Sequence, residues 1–225
     1  GWGFSNPNVF EQVDYANRRF NATLFPEWGR QDEWGWKGSA HGWEWTLCRY
    51  QQKMKQIILA QTPTETLGSF TNAGSTQLNG WEMMINKGFD FGAQKQWSVI
   101  SNVAFHKTDY RFVDYEEKGV QYANSILPGN ALHTLNGNVQ LKWKEQWNLY
   151  INDYWCDQMY LNNQNDAKTQ PYHLLNVSIS KWWMVESKGQ NRSYFGCTFG
   201  INNLLNTQYS SFLQLNDSMG RFYNP

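Results

Sequence analysis

No run of apolar residues in these 225 approaches the ~18 that a membrane helix needs. Net charge is missing too. The 19 Lys and Arg balance 19 Asp and Glu, so there is no basic surface of the kind nucleic acid requires. Cysteine is scarce and odd in number. Cys48, Cys156 and Cys197 lie far apart, with no CxxC and no Cys/His spacing. That excludes a disulfide framework and a zinc site and leaves isolated small buried residues. His41, His106, His133 and His173 stand alone without HExxH-like spacing, so no catalytic constellation is present. What is abundant is aromatic: 17% of the chain, with 13 Trp.

The clearest pattern is Leu135 to Trp143. Leu135, Gly137, Val139, Leu141 and Trp143 alternate with Asn136, Asn138, Gln140, Lys142 and Lys144. That is the period of a strand with one dry and one wet face. Lys144-Glu145-Gln146 is a short turn, and Trp147 to Asn152 alternates again. The hairpin is about nine to ten residues tall, the height of a tilted strand crossing a bilayer. Its paired Trp residues sit where such strands meet headgroups. Averaged hydropathy does not register a face of this kind.

The rest of the chain repeats the unit. Strands are predicted over 29–38, from Trp43 to about Ile58, over 74–91, from Trp97 to His106, from Leu175 to Trp182-Trp183, and over 195–201, after a strand end at Gly1–Phe4. Loops are predicted over 5–27, 59–72, 107–130 and 157–171, and again from Leu204 onward. Long and short connections alternate, so the short turns share one end. Beside them stand Trp43, Trp97, Trp143, Trp147 and Trp182 or Trp183, predicted as membrane-interface aromatics. Short turns at one rim and long loops at the other are the asymmetry of outer-membrane barrels. A soluble up-and-down barrel or sandwich also alternates, and stays open as a carbohydrate-binding alternative.

Five segments then resemble one family. Gly3-Phe4-Ser5-Asn6-Pro7 with Glu11, Leu24-Phe25-Pro26-Glu27 before Glu33-Trp34-Gly35-Trp36-Lys37, and Asn72-Ala73-Gly74 with Gly80-Trp81-Glu82 follow one another in family order. Leu127-Pro128 before Leu132-His133 and Ile201-Asn202-Asn203-Leu204-Leu205-Asn206-Thr207-Gln208-Tyr209 complete the set. Together they resemble TonB-dependent outer-membrane receptors, in a style closest to Bacteroidota-like bacteria. The resemblance implies an all-β, antiparallel transmembrane β-barrel of the 22-stranded type. About nine C-terminal-half strands would be present here. Residues 1–225 are then expected to be one partial domain, the C-terminal portion of the barrel. No signal peptide, plug or final strand is visible in the sequence, and an open sheet edge is costly in lipid.

The resemblance further implies a non-enzymatic transport receptor in the bacterial outer membrane. Its cargo would be a scarce small-molecule ligand: an iron-siderophore complex first, with cobalamin, haem or oligosaccharide behind it. No resident cofactor or metal is implied. Partners would be the TonB inner-membrane complex, acting through the plug, outer-membrane lipids, and in some importers a surface lipoprotein. A passive porin is the alternative within membranes. An anionic ferric chelate needs Arg for paired hydrogen bonds and aromatic faces for stacking. Tyr15, Arg18, Arg19, Tyr110, Arg111, Tyr115, Tyr122 and Tyr160, in or beside the long loops, are the candidate contacts. The bland reading of each is a place in an aromatic belt at the outer headgroups. Glu33 and Glu82 fall on the polar parity and are expected to face the lumen. His106 and His133 flank the 107–130 stretch, the position from which haem ligation is weighed.

Overall fold

The computed structural model describes residues 1–14, 18–61, 69–72, 74–117, 119–144, 146–186, 192–210, 212–216 and 220. Nine strands form one antiparallel sheet: β1 (Trp2–Ser5), β2 (Glu27–Ala40), β3 (Trp43–Lys55), β4 (Ser75–Phe91), β5 (Trp97–Asp114), β6 (His133–Trp143), β7 (Trp147–Cys156), β8 (Tyr172–Glu186) and β9 (Arg192–Ile201). They lie side by side in chain order, an up-and-down meander with β1 and β9 at open edges. Among the described residues there is no α-helix, only a 3-10 turn at Ala93–Lys95. The register matches the alternation. Trp143 faces Trp147 and Trp97 across its two neighbours, and Val139 faces Ile151 and Ser101.

One face carries Trp34, Trp36, Trp43, Trp45, Leu47, Met83, Ile85, Phe89, Val103, Leu135, Val139, Ile179 and Phe199. Among the described residues nothing covers it: Trp34 is 62% exposed and Phe199 67%. The buried hydrophobics lie elsewhere, at or beyond the long-loop end. A soluble sandwich would bury this face against a second sheet. A contiguous exposed apolar surface of this extent marks a face made for an apolar environment.

Several strands outrun the sequence reading. β5 continues to Asp114, through the first third of the stretch expected as loop. The reason is an inverted pattern. Beyond Phe105 the outward positions become Lys107, Asp109 and Arg111, and the other face takes Thr108, Tyr110 and Phe112. A pattern with aromatics on the formerly polar face no longer reads as the same strand. Three expected loops also hold short ribbons: Val13–Asp14 with Arg19–Phe20, Ile58–Gln61 with Ser69–Asn72, and Glu116–Glu117 with Val120–Gln121.

The loops at this end are welded together. Phe112, Tyr115 and Tyr122 stack at 4.7 and 5.6 Å and pack on Leu127. Asn165 Nδ2 donates to the Ile126 carbonyl (2.8 Å), and its oxygen accepts the Ile126 N–H (2.6 Å). Asn216 accepts the Asn163 N–H (2.9 Å), while its own N–H reaches the carbonyl of Leu161, which is 1% exposed.

Candidate functional site

The second face of the sheet is a polar wall, and its chemistry changes from strand to strand. β2 to β4 place Glu27, Glu33, Glu44, Glu82 and Asp90 there against Lys37, an acidic sector. Glu33 accepts the Cys48 thiol (3.3 Å). Glu82 lies 3.6 Å from His106 Nε2. Tyr50 crosses the gap, its hydroxyl 2.7 Å from His106 Nε2 and bonded to Tyr110 as well. The Tyr50 ring can lie there because its cross-strand neighbour is Gly80. A Cβ at that position would fall 2.1 Å from the Tyr50 Cζ and 2.2 Å from its hydroxyl oxygen.

β5 to β9 present amides and hydroxyls instead. Asn86, Asn102, Asn138, Asn152 and Asn176 stand in direct register on five adjacent strands. Every side chain in this row donates toward the preceding one. Asn176 bonds Asn152 (3.0 Å), Asn152 bonds Asn138 (2.9 Å), Asn138 reaches Asn102 (3.4 Å), and Asn102 bonds Asn86. The backbone N–H of Asn203 caps the row on Asn176 (2.9 Å). The Asn203 side chain then clasps Thr207 at both backbone groups, each at 2.9 Å. The chain that follows, Gln208 to Ser210, lines a cavity of about 350 Å3 with Met159, Thr169, Gln170, Tyr172 and Leu213. Tyr172 and Tyr209 stack there at 5.1 Å.

This row is missing from the sequence reading. A signal was present: Asn138 stands five residues before Trp143 and Asn152 five after Trp147, and Asn86 and Asn102 flank Phe91 and Trp97 in the same way. Equal offsets from a short turn are cross-strand partners.

The predicted contact residues are not gathered in one place. Tyr15 lies outside the described residues. Arg18 sits exposed in a turn at φ 52. Arg19 reaches Asp14 (3.4 Å) and lines a second cavity of about 400 Å3 with Asn21 and Phe70. Tyr110 is on the polar wall rather than in a loop, because β5 is long. Arg111 is held by Asp109 (2.6 Å) and the Asn124 carbonyl (3.0 Å). Tyr115 and Tyr122, only 8% and 6% exposed, are the loop core and not a contact surface. Burial pushes both phenols up, with the Glu117 carboxylate adding to it. Tyr160 is bridged to Lys168, and its carbonyl accepts the Gly129 N–H (2.8 Å).

Glu33 and Glu82 are on the polar wall. His106 and His133 stand on opposite faces, one by Glu82 and the other bonded to Asp157 (2.9 Å). They cannot share a ligand. Among the described residues no three His, Cys, Asp or Glu side chains come together as a metal site.

Trp43, Trp97, Trp143 and Trp147 take the apolar face at the short-turn end. Trp97 and Trp143 stack at 5.7 Å, and Lys87, Lys144 and Lys181 lie over Trp43, Trp143 and Trp147. Trp182 departs from the expectation. It shares the polar parity with Ser178 and Ser180 and lies across Gly196. Trp183 takes the apolar position, stacked on Phe195 at 5.6 Å.

The sheet is similar in fold to several solved transporters and receptors. The copper transporter OprC matches with a TM-score of 0.62 at 12% identity, over 93% of this chain and 30% of its own. The FrpB iron transporter from Neisseria meningitidis, in its apoprotein form, matches at 0.59 and 13%, over 82% and 28%. A ferric enterobactin receptor mutant from Pseudomonas aeruginosa, in complex with enterobactin, matches at 0.57 and 14%, over 95% and 32%. At these identities the likeness is one of fold. The chain spans about 30% of the length of the structures it resembles. No curated protein matches it in sequence. These neighbours lend no support to a Bacteroidota-like style. The model of the TonB dependent receptor-like β-barrel family matches residues 1–204. With an uncovered apolar face, a Trp-lined short-turn rim and a polar inner wall, the chain belongs to that family of outer-membrane receptor barrels.

Proposed function

We propose that this chain is the C-terminal portion of a barrel that actively imports a scarce ligand across the outer membrane, energised by the TonB complex. The observation that carries the reading is the exposed apolar face of an unclosed nine-stranded sheet. Unpaired strand edges cost several kcal/mol per backbone group in lipid, so further strands would complete the barrel. A plug seals the lumen and transmits the pull of TonB, and no catalytic step is involved. The long-loop end admits ligand, and the exposed Arg18 and Arg19 are the cationic contacts there, with Arg111, on the outward face and held by Asp109 and the Asn124 carbonyl, the third candidate. An iron-siderophore complex is the first ligand to test, since neighbours of like fold are named for iron and enterobactin. Cobalamin and haem come after it, and a surface lipoprotein is a further candidate partner.

The test is uptake of radiolabelled ferric siderophore by intact cells. Deleting the receptor gene and inactivating TonB should abolish the same uptake, and alanine at Arg18, Arg19 and Arg111 together should reduce it with barrel assembly intact. Uptake that survives loss of TonB would reject energised import and leave a passive pore.

A further inference from the structure

Beyond its apolar band, the outward face of β3 to β5 turns cationic. Arg49, Lys53 and Lys55 share the outward parity of β3, and Lys107 stands on the same face of β5. All four are exposed, and among the described residues none meets a carboxylate. Of the nearby carboxylates, Asp32 holds Arg30 (2.8 Å), Asp109 holds Arg111 (2.6 Å), and Asp114 lies past a bulge, opposite Ser75. The geometry points to a binding surface for the phosphate groups of a lipid headgroup, in the leaflet at the long-loop end. Energised import is not required for this, only that the barrel stands in a bilayer.

Charge and position together carry the argument. The chain has no net charge, so unpaired cations grouped on two strands are a local excess. Like charges opposed across a strand pair repel, and Lys53 directly faces Arg30. An anion laid over them offsets that repulsion. Nearer the apolar band, Arg49 and Lys107 directly face Trp81 from its two sides, and the Arg49 guanidinium lies over the ring at 5.5 Å. A Trp at the edge of an apolar band marks the headgroup level, so these two cations stand where headgroup phosphates begin. Lys53 and Lys55, four and six residues further along β3, lie about 13–20 Å higher along the strand. That spread suits a headgroup with more than one phosphate. The same level on β6 to β8 differs. There His133 pairs with Asp157 and His173 with Asp153, and no Lys or Arg stands on the outward face. At the short-turn rim the cations are dispersed, with Lys87, Lys144 and Lys181 each over a separate Trp. A ligand crossing the lumen meets the polar wall, the opposite face of the sheet, and not these residues.

The experiment uses the full-length receptor, stripped of lipid in detergent. Native mass spectrometry follows its titration with bis-phosphorylated lipid A, with the same lipid after removal of its phosphates, and with inorganic phosphate. Lipid A should bind, and loss of its phosphates should weaken binding by about tenfold or more. Lys53→Gln with Lys55→Gln and Lys107→Gln should weaken lipid A binding to a similar extent. Lys87→Gln with Lys144→Gln and Lys181→Gln, at the other rim, should leave it unchanged. Heat-modified gel migration reports an intact barrel in both triple variants, and the comparison of the two lipids on the wild-type protein needs no variant. The inference is overturned if both lipids bind alike, if the first triple variant binds lipid A unchanged, or if the two triple variants weaken it equally. Inorganic phosphate binding as tightly as lipid A would overturn it too, since the surface would then be a site for the free anion.

Discussion

Tyr50 lies across Gly80, Trp45 across Gly38 and Trp182 across Gly196, each pair directly opposed on neighbouring strands. In a sheet, an aromatic folded over a cross-strand glycine covers backbone that glycine leaves bare. At Gly80 the arrangement also aims the Tyr50 hydroxyl at His106. Gly80→Ala should displace the ring, break that bond and destabilise the barrel by about 1–3 kcal/mol, as overpacking does. Thermal unfolding in detergent of Gly80→Ala and of Gly80→Ala with Tyr50→Ala checks this. The second change should recover most of the loss, and equal losses in both would show that the ring does not matter. Parity alone assigns Trp182 to the polar wall, but its place over Gly196 needs the register.

Among the elements, the loop body at the end of β5 departs most from expectation. Stretches expected as independent loops are tied through Asn165 and Asn216 over a core of Phe112, Tyr115 and Tyr122. The Tyr115 phenol is pushed up to about 12, first by burial and then by the Glu117 carboxylate. A raised phenol favours the neutral form in the folded loop. Its stabilisation is therefore complete below the ordinary value of 10.0 and is lost as pH rises toward about 12. Absorbance titration of the phenolate band, compared with Tyr115→Phe, should show a tyrosine ionising late and the loop becoming protease-sensitive over that window. Glu117→Gln should move the ionisation downward. Ionisation of Tyr115 at the ordinary value would remove the case for a packed loop core.

For the whole molecule, the two faces of the sheet make opposite demands. Val139 and Gln140 are adjacent in β6 and point to opposite sides, Val139 at 41% exposure on the apolar face. In an assembled barrel Val139→Arg should cost about 2–4 kcal/mol, the penalty for a cation near mid-bilayer, whereas an inward-facing substitution is tolerated. Folding of the full-length protein into lipid vesicles, titrated with denaturant, compares Val139→Arg with Gln140→Arg. Equal effects would mean that the apolar face does not meet lipid.

The alternation from Leu135 to Trp143 fixes a strand, its dry face and its height, because a side-chain period of two leaves no other way to segregate those residues. Turn spacing then orders the strands, since short connections join only antiparallel neighbours. Five family-like segments point to the receptor family that the match over residues 1–204 shows. The upper half of β5 was not legible, because its pattern inverts where the apolar band ends. Nor were the buried roles of Tyr115 and Tyr122, because a tyrosine in a polar stretch reads as exposed until a neighbouring loop covers it. Equal offsets from the short turns pair Asn86 with Asn102 and Asn138 with Asn152, but the joining of these pairs to each other and to Asn176, and the Tyr172–Tyr209 cavity, came from tertiary structure alone. Their residues are brought together by register across five strands and by one turn folded back over β8, and hydrogen bonds of that range follow from where whole strands lie.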